Sequence, residues 1–114
     1  MQRELDLLLG TAIDSLAKLE VLLYLHARPG VAEGPKEISG RLRRPRAEID
    51  PALRDLAEFG LIERFVLGTG RHVMYGPTED AHVEEILSLL HEQYHRDPRA
   101  RGRIVRAVVS RGRH

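Results

Sequence analysis

Residues 53–67 read Leu53-Arg54-Asp55-Leu56-Ala57-Glu58-Phe59-Gly60-Leu61-Ile62-Glu63-Arg64-Phe65-Val66-Leu67. Together with Ile49, the leucines at 53 and 56 recur at the i, i+4, i+7 spacing of a helix with one apolar face. Gly60 stands where a left-handed residue closes a helix, and the apolar pair behind it can fold back onto that face. The stretch therefore predicts a helix that turns sharply into a strand.

The residues after Gly60 follow a β pattern and then return to a helical one. Two β-rich runs, 62–67 and 72–75, flank Gly68-Thr69-Gly70-Arg71, which predicts a hairpin. Thr78 is the predicted N-cap of the next helix, because a side-chain oxygen there can accept a bond from the first turn. That helix has an apolar stripe, and Asp97-Pro98 begins a last, basic helix.

Three helices are predicted before the hairpin. The first follows the stripe of Leu5, Leu8, Leu9, Ala12, Ile13 and Leu16, continues to Pro29-Gly30, and has a possible bend at Gly10. Pro35 opens the second, since proline suits a first helical position.

Pro51 leaves two possible starts for the third helix. The helix either runs through Pro51 from Pro45 or begins there with Asp50 as N-cap. We favour the second, with residues 45–49 as a separate short turn.

Composition limits the class of protein. The 114 residues suit one domain, and 42% hydrophobic with 31% charged residues is typical of a globular chain. The absence of cysteine excludes disulfides and thiolate chemistry. We find no catalytic constellation and no phosphate-binding loop, so the sequence predicts neither an enzyme nor a cofactor. The lack of a membrane-length apolar run and of a secretory signal layout predicts a cytoplasmic location without membrane contact.

The net charge of +1 conceals an uneven distribution. Residues 96–114 carry seven arginines and one acid, Asp97, whereas residues 1–95 carry 11 basic and 16 acidic residues. Such a basic tail can meet nucleic acid, lie on its own acidic body, or lie on a second copy. Within the body, residues 36–46 reverse the sign with five basic residues and one acid.

The order helix, helix, helix, hairpin, helix resembles a winged helix-turn-helix domain of the MarR/ArsR type of transcription regulators. The resemblance spans about residues 12–95. It rests on Lys36-Glu37-Ile38, Leu42, Ile49, Leu53-Arg54-Asp55-Leu56, Gly60-Leu61-Ile62-Glu63-Arg64 and Val73-Met74-Tyr75-Gly76-Pro77-Thr78. We expect a mainly α fold with a small β-hairpin (α+β), in one domain over 1–114. Residues 1–11 form a helical extension, 12–78 the winged-helix core, and 79–110 the C-terminal helices.

The resemblance implies a homodimeric repressor that binds double-stranded DNA. Its third helix would enter the major groove, and the hairpin, or wing, would reach flanking DNA. The expected DNA-binding residues are Lys36, Arg43, Arg44, Arg46, Arg54, Arg64, Arg71 and His72. The flanking helices would supply the dimer contacts, because their stripes are longer than the core and the hairpin can cover. The expected interface residues are Leu5, Leu8, Leu9, Val83, Ile86, Leu87, Leu90 and Tyr94.

Three features depart from the family pattern. Arg44 replaces a usual apolar residue, Glu48 and Asp50 put negative charge where phosphates would approach, and Pro51 interrupts the helix. These acids keep open an alternative, a winged-helix module that binds a basic protein instead of specific DNA.

Histidines raise a third possibility, a metal-gated repressor. Asp80-x-His82, with His91 and His95 one turn apart, lies on the helix after the wing, where some ArsR-type proteins sense metals. The spacing from His82 to His91 does not reproduce the family pattern. We therefore interpret these histidines as exposed and predict no metal site. The effector stays unassigned.

Overall fold

The computed structural model describes residues 1–111, which form six helices and one two-stranded antiparallel sheet. In chain order the elements are α1 (Gln2–Leu8), α2 (Leu16–His26), α3 (Pro35–Leu42), α4 (Arg46–Glu58), β1 (Ile62–Leu67), β2 (His72–Pro77), α5 (Ala81–Arg96) and α6 (Pro98–Arg111). The α+β fold class is as predicted. No helix within residues 1–111 has the length and apolar composition needed to span a bilayer.

The predicted hairpin forms around the glycine-rich turn, and its strands pair antiparallel. Ile62 lies opposite Pro77 and Leu67 opposite His72. A short third segment joins this sheet, because Glu33 exchanges two backbone hydrogen bonds with Tyr75, at 2.9 and 2.8 Å. The loop before α3 is therefore attached to the base of the wing, which the sequence pattern did not indicate.

The predicted long first helix is two helices. α1 ends at Leu8, Gly10 adopts a positive φ of 90°, and its N–H donates to the Ile13 carbonyl at 2.8 Å. Ser15 then caps α2, its hydroxyl oxygen accepting from the Lys18 N–H at 3.1 Å. A left-handed glycine followed by a serine cap ends one helix and starts another, although the apolar spacing continues across the break.

α3 and α4 form the helix-turn-helix pair. Arg43 ends α3 with a left-handed φ of 55°, and the Ser39 hydroxyl donates to the Arg44 carbonyl across the turn. The apolar face of α4 is fully buried at Ile49, Leu53 and Leu56. These are the positions that the sequence spacing assigned to the core.

The preferred start of α4 is wrong. The helix begins at Arg46 with Pro45 as N-cap and runs through Pro51 to Glu58. Pro51 has no N–H for the Ala47 carbonyl, but both residues are exposed, so solvent can satisfy that oxygen. Asp50 does not cap the helix; its carboxylate accepts from Arg46 Nε at 2.8 Å.

The cap of α5 also differs from the prediction. Asp80 is the N-cap, and its carboxylate accepts from the His82 and Val83 N–H groups at 2.9 and 3.0 Å. Thr78 is buried two residues earlier and accepts from the Asp80 N–H at 3.1 Å. The threonine thus supports the capping residue instead of capping the helix itself.

The expected dimer stripes are largely covered by their own chain. Leu5, Leu9, Ile86, Leu87 and Leu90 are all at most 8% exposed, as α1 packs on α5. Within one chain, α1 and α5 therefore cover most of these residues, which the sequence analysis had assigned to a dimer interface. Leu8, Val83 and Tyr94 keep partial exposure.

The basic C-terminal segment lies on its own body up to Arg111, and its residues 112–114 are outside the described part of the chain. α6 packs on α5 and α2 through buried Ala100, Ile104 and Val108. Arg99, Arg103 and Arg106 form an exposed stripe at i, i+4, i+7.

We expect Pro51→Ala to stabilise the protein by at least about 1 kcal/mol, because it restores a backbone donor inside a continuous helix. Urea denaturation measures the change. Asp50→Ala serves as the control and should change stability little, since it removes only an exposed ion pair. A neutral Pro51→Ala beside a clearly destabilised Asp50→Ala would instead support a helix that starts at Pro51.

Candidate nucleic-acid interface

An open groove of about 1060 Å³ lies between α4 and the wing, with the start of α3 at one end. Six of the eight predicted DNA-binding residues line it: Lys36, Arg46, Arg54, Arg64, Arg71 and His72. They come from α3, α4, β1, the wing turn and β2, which are separate in sequence. The fold thus brings cations from α3, α4 and the hairpin to one concave surface.

The helical geometry of α4 presents its arginines to this groove. Arg46, Asp50 and Arg54 are spaced at i, i+4, i+8, so they share the face that borders the wing. Arg54 is exposed, which leaves its guanidinium accessible for bidentate hydrogen bonding. Arg54 therefore meets the geometric requirement for contacting a base edge or a phosphate.

Lys36 and the wing residues frame the groove from the other sides. Lys36 is exposed in the first turn of α3, directly after Pro35 at the first helical position. Arg64 lies opposite Tyr75 in the hairpin, and Arg71 and His72 follow the glycine-rich turn. All four side chains are exposed, as phosphate partners must be.

Three carboxylates also line the groove, those of Glu37, Asp50 and Glu58. Glu37 is occupied within its own helix, where its Oε2 accepts from the Gly34 N–H at 2.7 Å. Asp50 pairs with Arg46, and that hydrogen bond raises the pKa of the Arg46 guanidinium. Glu58 was not singled out by the sequence analysis; only its place on the α4 face, one turn after Arg54, could have indicated it.

Arg43 and Arg44 are not part of the groove. Arg44 turns towards the core, with Nε and Nη2 donating to the two carboxylate oxygens of Glu20 at 3.0 and 2.7 Å. Its Nη1 donates to Glu48 at 3.1 Å. The hydrogen bond to Glu20, only partly opposed by burial, raises the pKa of Arg44. The DNA-contact prediction for Arg44 does not fit this geometry, because the side chain joins α2 to α4.

A second internal cation fixes the other side of α4. Lys18 is largely buried and its Nζ lies 2.7 Å from Asp14 and 3.1 Å from Asp55. Burial acts to lower the pKa of Lys18, but the hydrogen bonds to the two carboxylates outweigh it, so the pKa is raised. Lys18 therefore stays charged and links the start of α2 to α4.

The histidines that the sequence analysis considered as metal ligands lie in two separate places. His82 contacts Glu4 of α1, whereas His91 stacks between His26 of α2 and His95, with ring centroids 5.2 and 4.3 Å apart. Burial, with the neighbouring histidines, lowers the pKa of His91. Within residues 1–111, no three His, Cys, Asp or Glu side chains are grouped in a way that could hold a metal ion.

We expect Arg44→Ala to destabilise the protein by about 1 kcal/mol, because it removes a two-oxygen contact between α2 and the start of α4. Arg43→Ala is the matched control and should have a smaller effect, since Arg43 is exposed and its φ is strained for either residue. Thermal and urea unfolding of both variants measure the difference. Equal stabilities would show that the Arg44 contacts do not support the helix-turn-helix.

Comparison with known proteins assigns the fold. No family model and no curated protein matches the chain. Among solved structures, the chain is similar to reduced HlyU from Vibrio cholerae N16961, with a TM-score of 0.62 and 21% sequence identity. The match covers 83% of this chain and 94% of that one. At this identity the similarity shows the fold alone: the chain has an α+β winged-helix fold.

Proposed function

We propose that this protein is a DNA-binding transcription regulator of the MarR/ArsR type that acts as a homodimeric repressor in the cytoplasm. The observation that carries the proposal is the groove between α4 and the wing. Its lining contains five lysine and arginine side chains but only three carboxylates, so positive charge is in excess. α4 would enter the major groove of double-stranded DNA, and the wing would contact the flanking backbone.

The groove residues would divide the work of binding. Arg64, Arg71 and Lys36 lie at the rim and would contact phosphates, which supply affinity without reading sequence. Arg54 projects from α4 itself and would read guanine through O6 and N7. Arg46 is tied to Asp50 by a 2.8 Å contact, so its transfer to DNA would break that pair.

The acids on α4 favour the alternative, a module that binds a basic protein partner. One contact argues against it. Asp50 is paired with Arg46, so this carboxylate, which lines the groove, is balanced by a neighbouring cation. Glu48 shares Arg44 with Glu20 and does not line the groove, so its charge lies away from the proposed DNA surface.

The homodimer would use surfaces that the chain itself does not cover. On α1, Leu7 is 66% exposed and Leu8 is partly exposed, and Met1, just before the helix, is 49% exposed. On α6, Val105 and Val109 are also partly exposed. Pairing through these helices would present two copies of α4 to successive turns of a palindromic site.

We expect DNA affinity to fall steeply with salt, because arginine and lysine contacts release counterions from the phosphates. Arg71→Ala and Lys36→Ala should each reduce the slope of log K against log salt by about 0.9, the share of one phosphate contact. Fluorescence anisotropy with a labelled random duplex at several salt concentrations measures the slopes.

Arg103→Ala is the matched control, since Arg103 is exposed on α6 and does not line the groove. It should leave the slope unchanged. If a triple variant with alanine at Lys36, Arg54 and Arg71 bound DNA as tightly as the wild type, the DNA-binding proposal would fail and the protein-binding alternative would be favoured.

We expect the wild-type protein to sediment as a dimer and Leu7→Glu to give a folded monomer. Leu7 is exposed, so a charge there costs little within one chain but disrupts a paired apolar surface. Leu87→Glu should instead unfold the chain, because Leu87 is only 4% exposed in the core.

Phe59→Glu is the control for an exposed apolar-to-charged change, since Phe59 is 61% exposed at the end of α4. It should remain dimeric in sedimentation velocity. A wild-type monomer at micromolar concentration would exclude the homodimer.

A further inference from the structure

A second cavity, of about 280 Å³, lies on another side of the chain, between the end of α2, the loop 29–32, the base of the hairpin and the first half of α5. Most of its wall is apolar: Leu22, Leu25, Leu61, Ile62, Phe65 and Leu87 line it. Its volume exceeds the roughly 150 Å³ of an engineered cavity that holds benzene and is just below that of drug-sized pockets. A molecule of one or two rings would fit.

The polar part of the wall centres on His26. Its Nε2 lies 3.0 Å from the Ser88 hydroxyl oxygen, and the Ser88 hydroxyl donates its only proton to Glu84 at 2.9 Å. The His26–Ser88 contact therefore requires His26 Nε2 to be the donor. In the neutral ring, Nδ1 is then an acceptor, and this buried atom has no hydrogen-bond partner among residues 1–111. Because Nδ1 has almost no accessible surface, the acceptor that this network offers to a ligand in the cavity is the Glu84 carboxylate.

The charged groups of the wall favour a cation. Glu79 and Glu84 both line the cavity, while the described part of the chain contributes no lysine or arginine to it. Glu84 uses Oε1 for its contacts with Ser88 and His26, which leaves Oε2 for a ligand. An ammonium group would meet carboxylates here, whereas an acidic ligand would meet only repulsion.

We propose that this cavity is a binding site for a small aromatic amine. The ring would be buried between α2 and the hairpin base, and the ammonium would donate to the Glu84 carboxylate. The cavity joins α2, the wing base and α5, so its occupant would connect the helix that follows the wing with α2 and the base of the hairpin. Binding itself does not depend on the proposed DNA contacts, because the groove and the cavity share no lining residue.

Tryptamine and indoleacetate test the site, because both contain the indole ring system but carry an ammonium group and a carboxylate, respectively. We expect tryptamine to shift backbone amide resonances of the cavity residues in ¹H–¹⁵N spectra of the DNA-free protein. We expect tryptamine to bind at least about tenfold more tightly than indoleacetate, because one charge-assisted hydrogen bond contributes about that factor in affinity. Glu84→Gln should remove most of that preference and leave the fold intact, since this side chain is 52% exposed.

Ala32→Phe adds a ring to the cavity wall and should abolish tryptamine binding. Ala27→Phe is its control, because Ala27 is exposed at the end of α2 and does not line the cavity. The absence of shifts at millimolar tryptamine, equal affinity for indoleacetate, or binding that survives Ala32→Phe would each overturn the proposal. Loss of DNA binding in the groove variants, with tryptamine binding retained, would separate this site from the proposed function.

Discussion

The burial of one face of α4 is the constraint on which the rest of the arrangement depends. Ile49, Leu53 and Leu56 are fully enclosed between α2, α3 and the hairpin base, and this fixes the rotation of the helix about its axis. Arg54 then necessarily points outward. Because the same leucines hold the start of β1 beside the helix, the wing is placed at a set distance from that arginine.

Ion pairs set which charges remain for a partner. Two cations hold α4 to α2. Arg44, in the turn before α4, pairs with Glu20 of α2, and Lys18 of α2 pairs with Asp55 of α4. The two cations are only 23% and 11% exposed, so these pairs are screened less than contacts between two fully exposed side chains. The arginines at the groove have fewer internal partners. The division between structural and available cations follows from where each carboxylate lies, since arginine itself is common throughout the chain.

Two surfaces of the same winged helix have opposite chemistry. The groove between α4 and the wing is open and mainly cationic, and it suits a polyanion. The cavity behind the wing base is smaller, apolar and bordered by carboxylates, and it suits a small cation. The hairpin contributes to both, with Arg64 on one side and Phe65 on the other. Alternation of side chains along a strand makes this possible.

Local patterns in the sequence determined the helical face of Ile49, Leu53 and Leu56, the turn at Gly60 and the hairpin. These depend on residues a few positions apart, so period and turn chemistry are sufficient. All five lysine and arginine residues of the groove were also predicted, because the resemblance assigned DNA contacts to the helix-turn-helix and the wing.

The tertiary structure alone decided the rest. The contact of Arg44 with Glu20 spans 24 residues and that of His26 with Ser88 spans 62, and no local pattern encodes such pairs. The same is true of α1 folding back on α5, which buries Leu5 and Leu87 within one chain. Apolar periodicity shows that a face must be covered but not by what, because the hydrophobic effect is non-directional and any apolar surface satisfies it.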